Sequence, residues 1–300
     1  MTSSHGPIVV GIDASPDSGA ALRWAVKQAR ACHRPVRVIY AYPWLEAVQT
    51  EQHIVSAPEL SATTAQAHAQ QFVEQAILSL ADDPELSIEA VAIGGSADHV
   101  LCRESDSAYL VVVGSRKLHA VGSYLLGSVG QAVANNAHCP TVVVRAEPDP
   151  GLAAEVVVGV SADASAEPVL AFAFEQASWL GARLRVVHGW KSPIGPRSTL
   201  FPLEFSEPNI DELSSEAAQL DLAELIAGWQ DKFSDVEVIS EARYGHPTSI
   251  LVEESVGKQL LVVGNSTHHP LIGTVLGSVS LGVLHHAACP VAVVPLATSG

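Results

Sequence analysis

The sequence predicts an α/β protein made of two tandem doubly wound domains, each containing a five-stranded parallel sheet. Short Val-rich runs alternate along the chain with segments of helical periodicity. Hydrophobic residues form 48% of the chain and charged residues 16%, which favours strands buried on both faces. The pattern of residues 111–144 returns at 261–294, with Gly264 in place of Gly114. This recurrence indicates a tandem repeat of one domain.

The same alternation assigns the elements in order. Apolar β-branched runs bounded by turn residues predict the strands, and apolar residues at helical spacing predict the helices. In the first half we predict strands at 7–13, 36–41, 86–93, 109–114 and 141–145, and helices at 20–31, 65–80, 98–105 and 129–137. In the second half we predict strands at 156–160, 183–189, 236–242, 260–264 and 291–294, and helices at 166–177, 217–230, 248–255 and 279–286.

Composition also divides the chain into domains. The segment 148–155 is polar and rich in Pro and Gly, so it predicts a linker between domain 1 at residues 1–147 and domain 2 at 156–300. A proline-rich connection follows the second strand of domain 2, and we expect it to be an ordered surface loop or a lid. Its prolines are Pro193, Pro196, Pro202 and Pro208.

Right-handed crossovers between parallel strands favour the strand order 3-2-1-4-5 in each domain. In that order the chain reverses direction between strands 1 and 4, and a ligand crevice opens beyond their C-terminal ends. Strand 1 brings Asp13 to this crevice, strand 2 brings Ala41, and strand 4 brings the loop from Gly114 to Ser128. These distant segments are therefore expected to form one site.

The end of that loop predicts an anion site. A helix begins at or just after Gly127-Ser128, and we expect the Ser128 hydroxyl to cap it while neighbouring amides point outward. Unpaired amides at the positive end of a helix bind anions. Each feature also has a simpler interpretation. The glycine loop before the helix could only form a tight turn, and Asp13 could only cap the helix that follows strand 1.

Charge and cysteine content limit the partners. The net charge of −16 argues against nucleic acid and against an anionic membrane surface. No signal peptide or apolar run long enough for a membrane span is evident, so we expect a cytoplasmic protein. The four cysteines lack CxxC spacing and are expected to be free, buried thiols. His285 and Cys289 have helical spacing, but both Cys289 and Cys139 fall at a helix-to-strand turn, so we predict no metal site.

The residues beyond strand 4 resemble the universal stress protein family in its tandem two-domain, mycobacterial-type form. Nucleotide-binding members carry G-x2-G-x9-G-[ST], and both halves match its spacing, at Gly114 to Ser128 and at Gly264 to Ser278. The resemblance covers nearly the whole chain and implies an adenine-nucleotide alpha hydrolase-like, Rossmann-like fold. It further implies an ATP-binding regulator or sensor in stress response or dormancy, with ATP or another adenine nucleotide, with or without Mg2+, as ligand.

Both copies depart from the motif, because its second glycine is Lys117 in the first half and Thr267 in the second. If that position needs a positive φ, a non-glycine residue costs about 1 kcal/mol or more. Arg116 and Lys117 nevertheless place two cations beside the predicted anion site. In the second half Ser161 aligns with Asp13, and the basic pair is missing.

We therefore predict that domain 1 binds ATP and that the site of domain 2 is weak. The predicted nucleotide-binding residues are Gly11, Asp13, Ala41, Val113, Gly114, Arg116, Lys117, Gly127, Ser128 and Val129. The weaker second site comprises Gly264, Gly277, Ser278 and Val279.

No base positioned to activate water is apparent, so we expect binding rather than catalysis, with very slow hydrolysis at most. The resemblance also implies an unidentified protein partner and an intrachain pseudo-dimer, with pairing of two chains as a homodimer left open. One alternative is a nucleotide-free interaction module of the same family. Another is an ATP pyrophosphatase, but its SGGxDS loop is absent, since the first turn is GIDASPDSG.

Overall fold

The computed structural model describes residues 6–13, 15–42, 62–78, 86–117, 124–145, 154–190, 210–265 and 276–296. The chain divides into two compact units, Met1–Glu147 and Pro148–Gly300. Most of the predicted linker and all prolines of the proline-rich connection, predicted to be a surface loop or a lid, lie outside the described residues. Among the described residues, no helix is both long and apolar enough to cross a membrane.

The first unit alternates strands and helices, with one short additional strand pair. Its elements are β1 (Ile8–Ile12), α1 (Pro16–Cys32), β2 (Val36–Tyr42), α2 (Ala62–Leu78), β3 (Ile88–Gly94), α3 (Ala97–Glu104), β4 (Leu110–Gly114), β5 (Arg116–Lys117), β6 (Tyr124–Leu125), α4 (Ser128–Asn136) and β7 (Thr141–Val144).

The second unit repeats the order without the short pair among its described residues. Its elements are β8 (Glu155–Gly159), a 3-10 turn (Ala164–Ala166), α5 (Glu167–Leu180), β9 (Arg183–Trp190), α6 (Ile210–Lys232), β10 (Val238–Tyr244), α7 (Pro247–Glu254), β11 (Leu260–Asn265), α8 (Ser278–His286) and β12 (Val291–Pro295).

Both units contain the predicted parallel sheet. The strand order is β3-β2-β1-β4-β7 in the first unit and β10-β9-β8-β11-β12 in the second. Every one of these neighbouring pairs within a unit is parallel, and Val10 of β1 lies opposite Val112 of β4 in register. The predicted order 3-2-1-4-5 is therefore confirmed in both halves.

The central strands are buried on both faces. Four consecutive residues of β4, from Leu110 to Val113, are almost inaccessible to solvent, and Val156 to Val158 of β8 are fully buried. Helices cover both faces of such a sheet, which explains why these strands are continuously apolar rather than alternating. The core of each unit therefore surrounds the central strands, whose C-terminal ends lie at its edge.

Some boundaries differ from the prediction for local reasons. Helix α1 begins at Pro16, four residues earlier than predicted, because Ser15 occupies the N-cap and its side chain accepts a bond from the Ser18 amide. Helix α6 is longer than predicted at both ends. The predicted loop after β4 contains the antiparallel pair β5–β6, in which Arg116 lies opposite Leu125.

A glutamine on the outer helix of each unit pairs with the edge strand. Gln70 of α2 accepts a bond from the Ala92 amide at 3.0 Å and donates to the Ala90 carbonyl at 2.9 Å. Gln219 of α6 makes the same two contacts with β10, at 2.9 Å to the Ala242 amide and 3.4 Å to the Ser240 carbonyl. Each side-chain amide thus imitates one residue of a further parallel strand and satisfies edge groups that would otherwise be open.

The second unit contains an ion-pair cluster at the N-terminal end of its sheet. The carboxylate of Glu155 is only 5% exposed and lies 2.9 Å from Lys258 Nζ and 2.7 Å from Arg185 Nε. Burial alone raises the pKa of this carboxyl, but the hydrogen bonds and charges of Lys258 and Arg185 outweigh burial and lower the pKa below its ordinary value. The cluster is opposite the strand ends that form the crevice, so its role is structural.

All four cysteines are free, as expected, but only two are buried. Cys139 and Cys289 lie at the turns before β7 and β12 and are inaccessible, whereas Cys32 and Cys102 are half-buried. Burial raises the pKa of the Cys139 thiol to about 12, so this thiol is protonated and unreactive at neutral pH. Among the described residues, no group of three His, Cys, Asp or Glu side chains is arranged to hold a metal ion.

Candidate functional site

A cavity open to solvent, with about 640 Å³ of empty space, lies where the C-terminal ends of β1, β2 and β4 meet the first turns of α1, α3 and α4. This is the predicted reversal point of the sheet, between β1 and β4. The lining residues are Gly11, Ile12, Asp13, Ser15, Ser18, Ile39, Ala41, Ala97, Leu101, Val113, Gly114, Ser115, Gly127, Ser128, Val129 and Gly130.

The cavity brings together eight of the ten residues predicted for the first site. They are Gly11, Asp13, Ala41, Val113, Gly114, Gly127, Ser128 and Val129. The other two, Arg116 and Lys117, form β5, and their side chains lie outside the described part of the chain. Parallel strands end at one edge of the sheet, which is why residues more than 100 positions apart converge here.

Asp13 is exposed at the cavity rim and is held by the loop that starts α1. Its Oδ1 accepts hydrogen bonds from the Ser15 amide at 2.9 Å and from the Ser15 hydroxyl. The Ser18 hydroxyl donates to the Asp13 carbonyl at 2.6 Å. Ser15, not Asp13, is the N-cap of α1, so Asp13 does not cap this helix. Its hydrogen bonds with Ser15 instead orient the Asp13 carboxylate at the rim.

The N-terminus of α4 faces the cavity without a side-chain cap. Gly127 has extended backbone angles, φ −65° and ψ 155°, and occupies the N-cap, while Ser128 is the first helical residue. The prediction that Ser128 caps the helix is therefore wrong, because a glycine N-cap has no side chain to occupy the first amides. The amides of Ser128, Val129 and Gly130 thus remain available to an anion.

The substitution of Lys117 for the motif glycine causes no left-handed strain. Lys117 pairs with Tyr124 in the β5–β6 ladder. Among the described non-glycine residues only His33, at the end of α1, has a positive φ. The anticipated penalty therefore does not arise at Lys117, because the short ladder gives this residue an extended backbone. Thr267 lies outside the described residues.

The second unit has an equivalent cavity of about 840 Å³, so space is not what distinguishes the two halves. Two of the four residues predicted for this site, Gly264 and Val279, line the cavity, whereas Gly277 is the N-cap of α8 and Ser278 its first residue. The lining residues are Gly159, Val160, Ser161, Ser165, Ala166, Val169, Val187, His188, Gly189, Pro247, Leu251, Val263, Gly264, Val279, Ser280 and Leu296.

The two cavities differ where strand 2 approaches the third helix. Gly189 occupies the register position of Ala41, and a Cβ atom added to Gly189 would lie 2.8 Å from the Pro247 Cα. The end of β9 therefore approaches α7 more closely than an alanine would allow. Ala41 carries a Cβ at the same position of the first unit, where the third helix begins with Ala97 instead of Pro247.

They differ again at the motif glycine of strand 4. A Cβ at Gly264 would lie 3.0 Å from Val169 Cγ2 and 3.2 Å from Leu296 Cδ2, so aliphatic groups already lie against this glycine. The Ser280 hydroxyl donates to the Gly264 carbonyl at 2.6 Å, whereas Gly130 stands at the equivalent position of α4. The wall beside this glycine is thus formed by aliphatic side chains in the second unit.

Several lining residues of the first cavity were not predicted, including Ser18, Ala97, Leu101 and Ser115. The glycine at position 11 partly indicates that a side chain such as Leu101 packs against it, because a Cβ at Gly11 would lie 2.7 Å from Leu101 Cδ1. In the second unit Leu251 lies equally close to Gly159. A repeated glycine within a buried strand marks such a close approach. The sequence contains no comparable signal for the orientation of Ser115.

Comparison with known proteins agrees with this architecture. The model of the family described as "Universal stress protein family" matches residues 5–145 and again 154–295. A universal stress protein of Mycobacterium tuberculosis is 32% identical over 299 residues, covering 96% of each chain. One from Mycolicibacterium smegmatis is 30% identical over 295 residues, also covering 96% of each. The crystal structure of a universal stress protein from Archaeoglobus fulgidus aligns with a TM-score of 0.69 at 16% identity, covering 97% of this chain and 99% of the other.

Proposed function

The chain belongs to the universal stress protein family, and from this premise we propose that its first unit binds ATP or a related adenine nucleotide. The observation that carries the proposal is a cavity lined both by the uncapped α4 N-terminus and by Asp13. The amides of Ser128 and Val129 hold phosphate, and Gly114 lets it approach the backbone. Asp13 and Ala41 face the nucleoside.

The role of the protein is that of a ligand-dependent regulator in stress response or dormancy, acting through a protein partner.

Asp13 is the only carboxylate among the described lining residues of the first cavity, and one of its oxygens accepts hydrogen bonds from Ser15. No histidine, glutamate or lysine side chain lines the described part of this cavity. These lining residues include no group placed to activate water, so they fit nucleotide binding with little or no hydrolysis. The Asp13 carboxylate and the phosphate oxygens are ligands that suit Mg2+.

The test uses matched variants of the two halves. Asp13→Ala should release the adenine nucleotide that co-purifies with the protein, detected by chromatography and mass spectrometry of the denatured sample. Ser161→Ala, the equivalent change in the second unit, should leave nucleotide content unchanged. Asp13→Asn separates charge from bracing, because the amide oxygen still accepts the bonds from Ser15.

Equal loss of nucleotide in Asp13→Ala and Ser161→Ala would contradict the asymmetry between the halves. A wild-type protein that carries no adenine nucleotide and binds none in calorimetric titration would overturn the proposal. That result would instead favour the nucleotide-free interaction module.

A further inference from the structure

Ser115 forms part of the cavity wall directly after β4. The residue is completely buried, and its amide donates to the Val144 carbonyl at 2.9 Å, which ties it to the neighbouring strand β7. It lines the first cavity together with Gly114 and the first turn of α4. Its position is thus set by the sheet rather than by a loose surface loop.

The Ser115 hydroxyl has no hydrogen-bond partner among the described residues. Buried hydroxyls are almost always bonded to protein or to a ligand, so an open one on a cavity wall calls for an explanation. A neutral hydroxyl adjoining several free amides adds a donor that an anionic oxygen accepts. The orphaned group and the uncapped helix are two independent indications of the same ligand.

The equivalent position of the second unit does not line its cavity. Asn265 occupies that position and is also buried, but the wall there is formed by Val263, Gly264 and Leu296. The cavity that retains Asp13 is therefore the one whose wall includes the residue after the motif glycine.

We propose that the Ser115 hydroxyl donates a hydrogen bond to a phosphate oxygen of the nucleotide, and this inference rests on the proposed function. Phosphate rather than the nucleoside is the partner because the end of β4 lies beside the first turn of α4. Val113 Cγ2 is 3.8 Å from where a Cβ of Gly130 would be. Asp13 and Ala41 belong to the other strands of the cavity.

Thr141 provides a matched control for substitution. It is also buried in the first unit, and its hydroxyl has no partner among the described residues, but it does not line the cavity. Removing either hydroxyl, by Ser115→Ala or Thr141→Val, should leave the stability of the nucleotide-free protein unchanged or slightly higher, because neither group is bonded there. Only Ser115→Ala should affect ligand binding.

The experiment measures calorimetric affinities of the full-length protein for ATP, AMP and adenosine, and urea unfolding without ligand. Ser115→Ala should weaken ATP and AMP binding about 10- to 100-fold, the range for a bond to a charged group, and leave adenosine binding unchanged within about twofold. Thr141→Val should leave all three affinities unchanged.

Wild-type affinity of Ser115→Ala for ATP and AMP would overturn the inference while leaving the proposed function intact. A loss of adenosine affinity equal to that of AMP would refute the assignment to phosphate. A clear loss of nucleotide-free stability in Ser115→Ala would show that the hydroxyl has a structural partner instead. Failure of the wild-type protein to bind any of the three ligands overturns the proposed function itself, which is a distinguishable result.

Discussion

Gln70→Ala should destabilise the first unit by removing the side chain that pairs with the edge of its sheet. Gln70 makes two bonds to the edge strand, at 3.0 Å to the Ala92 amide and 2.9 Å to the Ala90 carbonyl. A protein hydrogen bond contributes about 1 kcal/mol net, so the two contribute about 2 kcal/mol. Water can hydrate part of the released edge, and we expect a net loss of about 1–2 kcal/mol.

The adjacent Gln71 supplies the control, because it lies on the same helix but is exposed to solvent. Both substitutions to alanine change helix propensity equally, so their difference reports the edge contacts together with the exposed bond from Gln70 to Glu74, which contributes only about 0.2–0.5 kcal/mol. Urea unfolding followed by circular dichroism measures the free energies, and Tm should fall by about 2–8 °C in Gln70→Ala for a unit of this size. A difference between Gln70→Ala and Gln71→Ala below about 0.3 kcal/mol would refute the reasoning. Gln219→Ala should have a smaller effect, since one of its bonds is 3.4 Å long.

Three further predictions concern the second unit and the nucleotide site. Glu155→Gln should destabilise the protein at neutral pH by weakening the bond to Lys258. Because the folded-state pKa of Glu155 is lowered, its contribution to stability is complete above the unfolded pKa of about 4.3 and disappears as pH falls through the folded pKa. The unfolding curves of wild type and variant should therefore converge in acid. Gly189→Ala should lower the Tm of the second unit because its Cβ would lie 2.8 Å from the Pro247 backbone; an unchanged Tm would show that α7 moves freely. Gly130→Ser should reduce calorimetric ATP affinity severalfold, because the added side chain takes up space in the first cavity while its hydroxyl bonds to the Gly114 carbonyl, as the Ser280 hydroxyl bonds to the Gly264 carbonyl. Unfolding reports whether the fold is intact, and an unchanged affinity would contradict the prediction.

The fold and most of the first site could be predicted from the sequence because both depend on local pattern and chain topology. Buried β-branched runs identify parallel strands, and right-handed crossovers then restrict the strand order. Once that order is known, the residues after strands 1, 2 and 4 must share one edge of the sheet. Asp13, Ala41 and Gly114 were placed in one cavity for this reason.

The sequence was less informative about hydrogen bonds made over short distances. Ser128 has the residue type of a helix cap, yet Gly127 occupies that position because its extended backbone angles set the start of the helix. Asp13 likewise braces Ser15 instead of capping the helix itself. A shift of one residue at a helix start changes which amides are free, and composition does not resolve such a shift.

The sequence by itself determined the doubled α/β architecture, the strand order and the site at the strand ends of the first half, because periodicity, burial and connection handedness leave few alternatives. Only the tertiary structure decided that the second half retains a larger cavity with an apolar wall, that Gly189 lies against Pro247, and that the Ser115 hydroxyl is buried without a described partner. These features depend on distances between segments that are far apart in the chain. Side-chain packing between those segments decides them, and the pattern of residue types does not specify that packing.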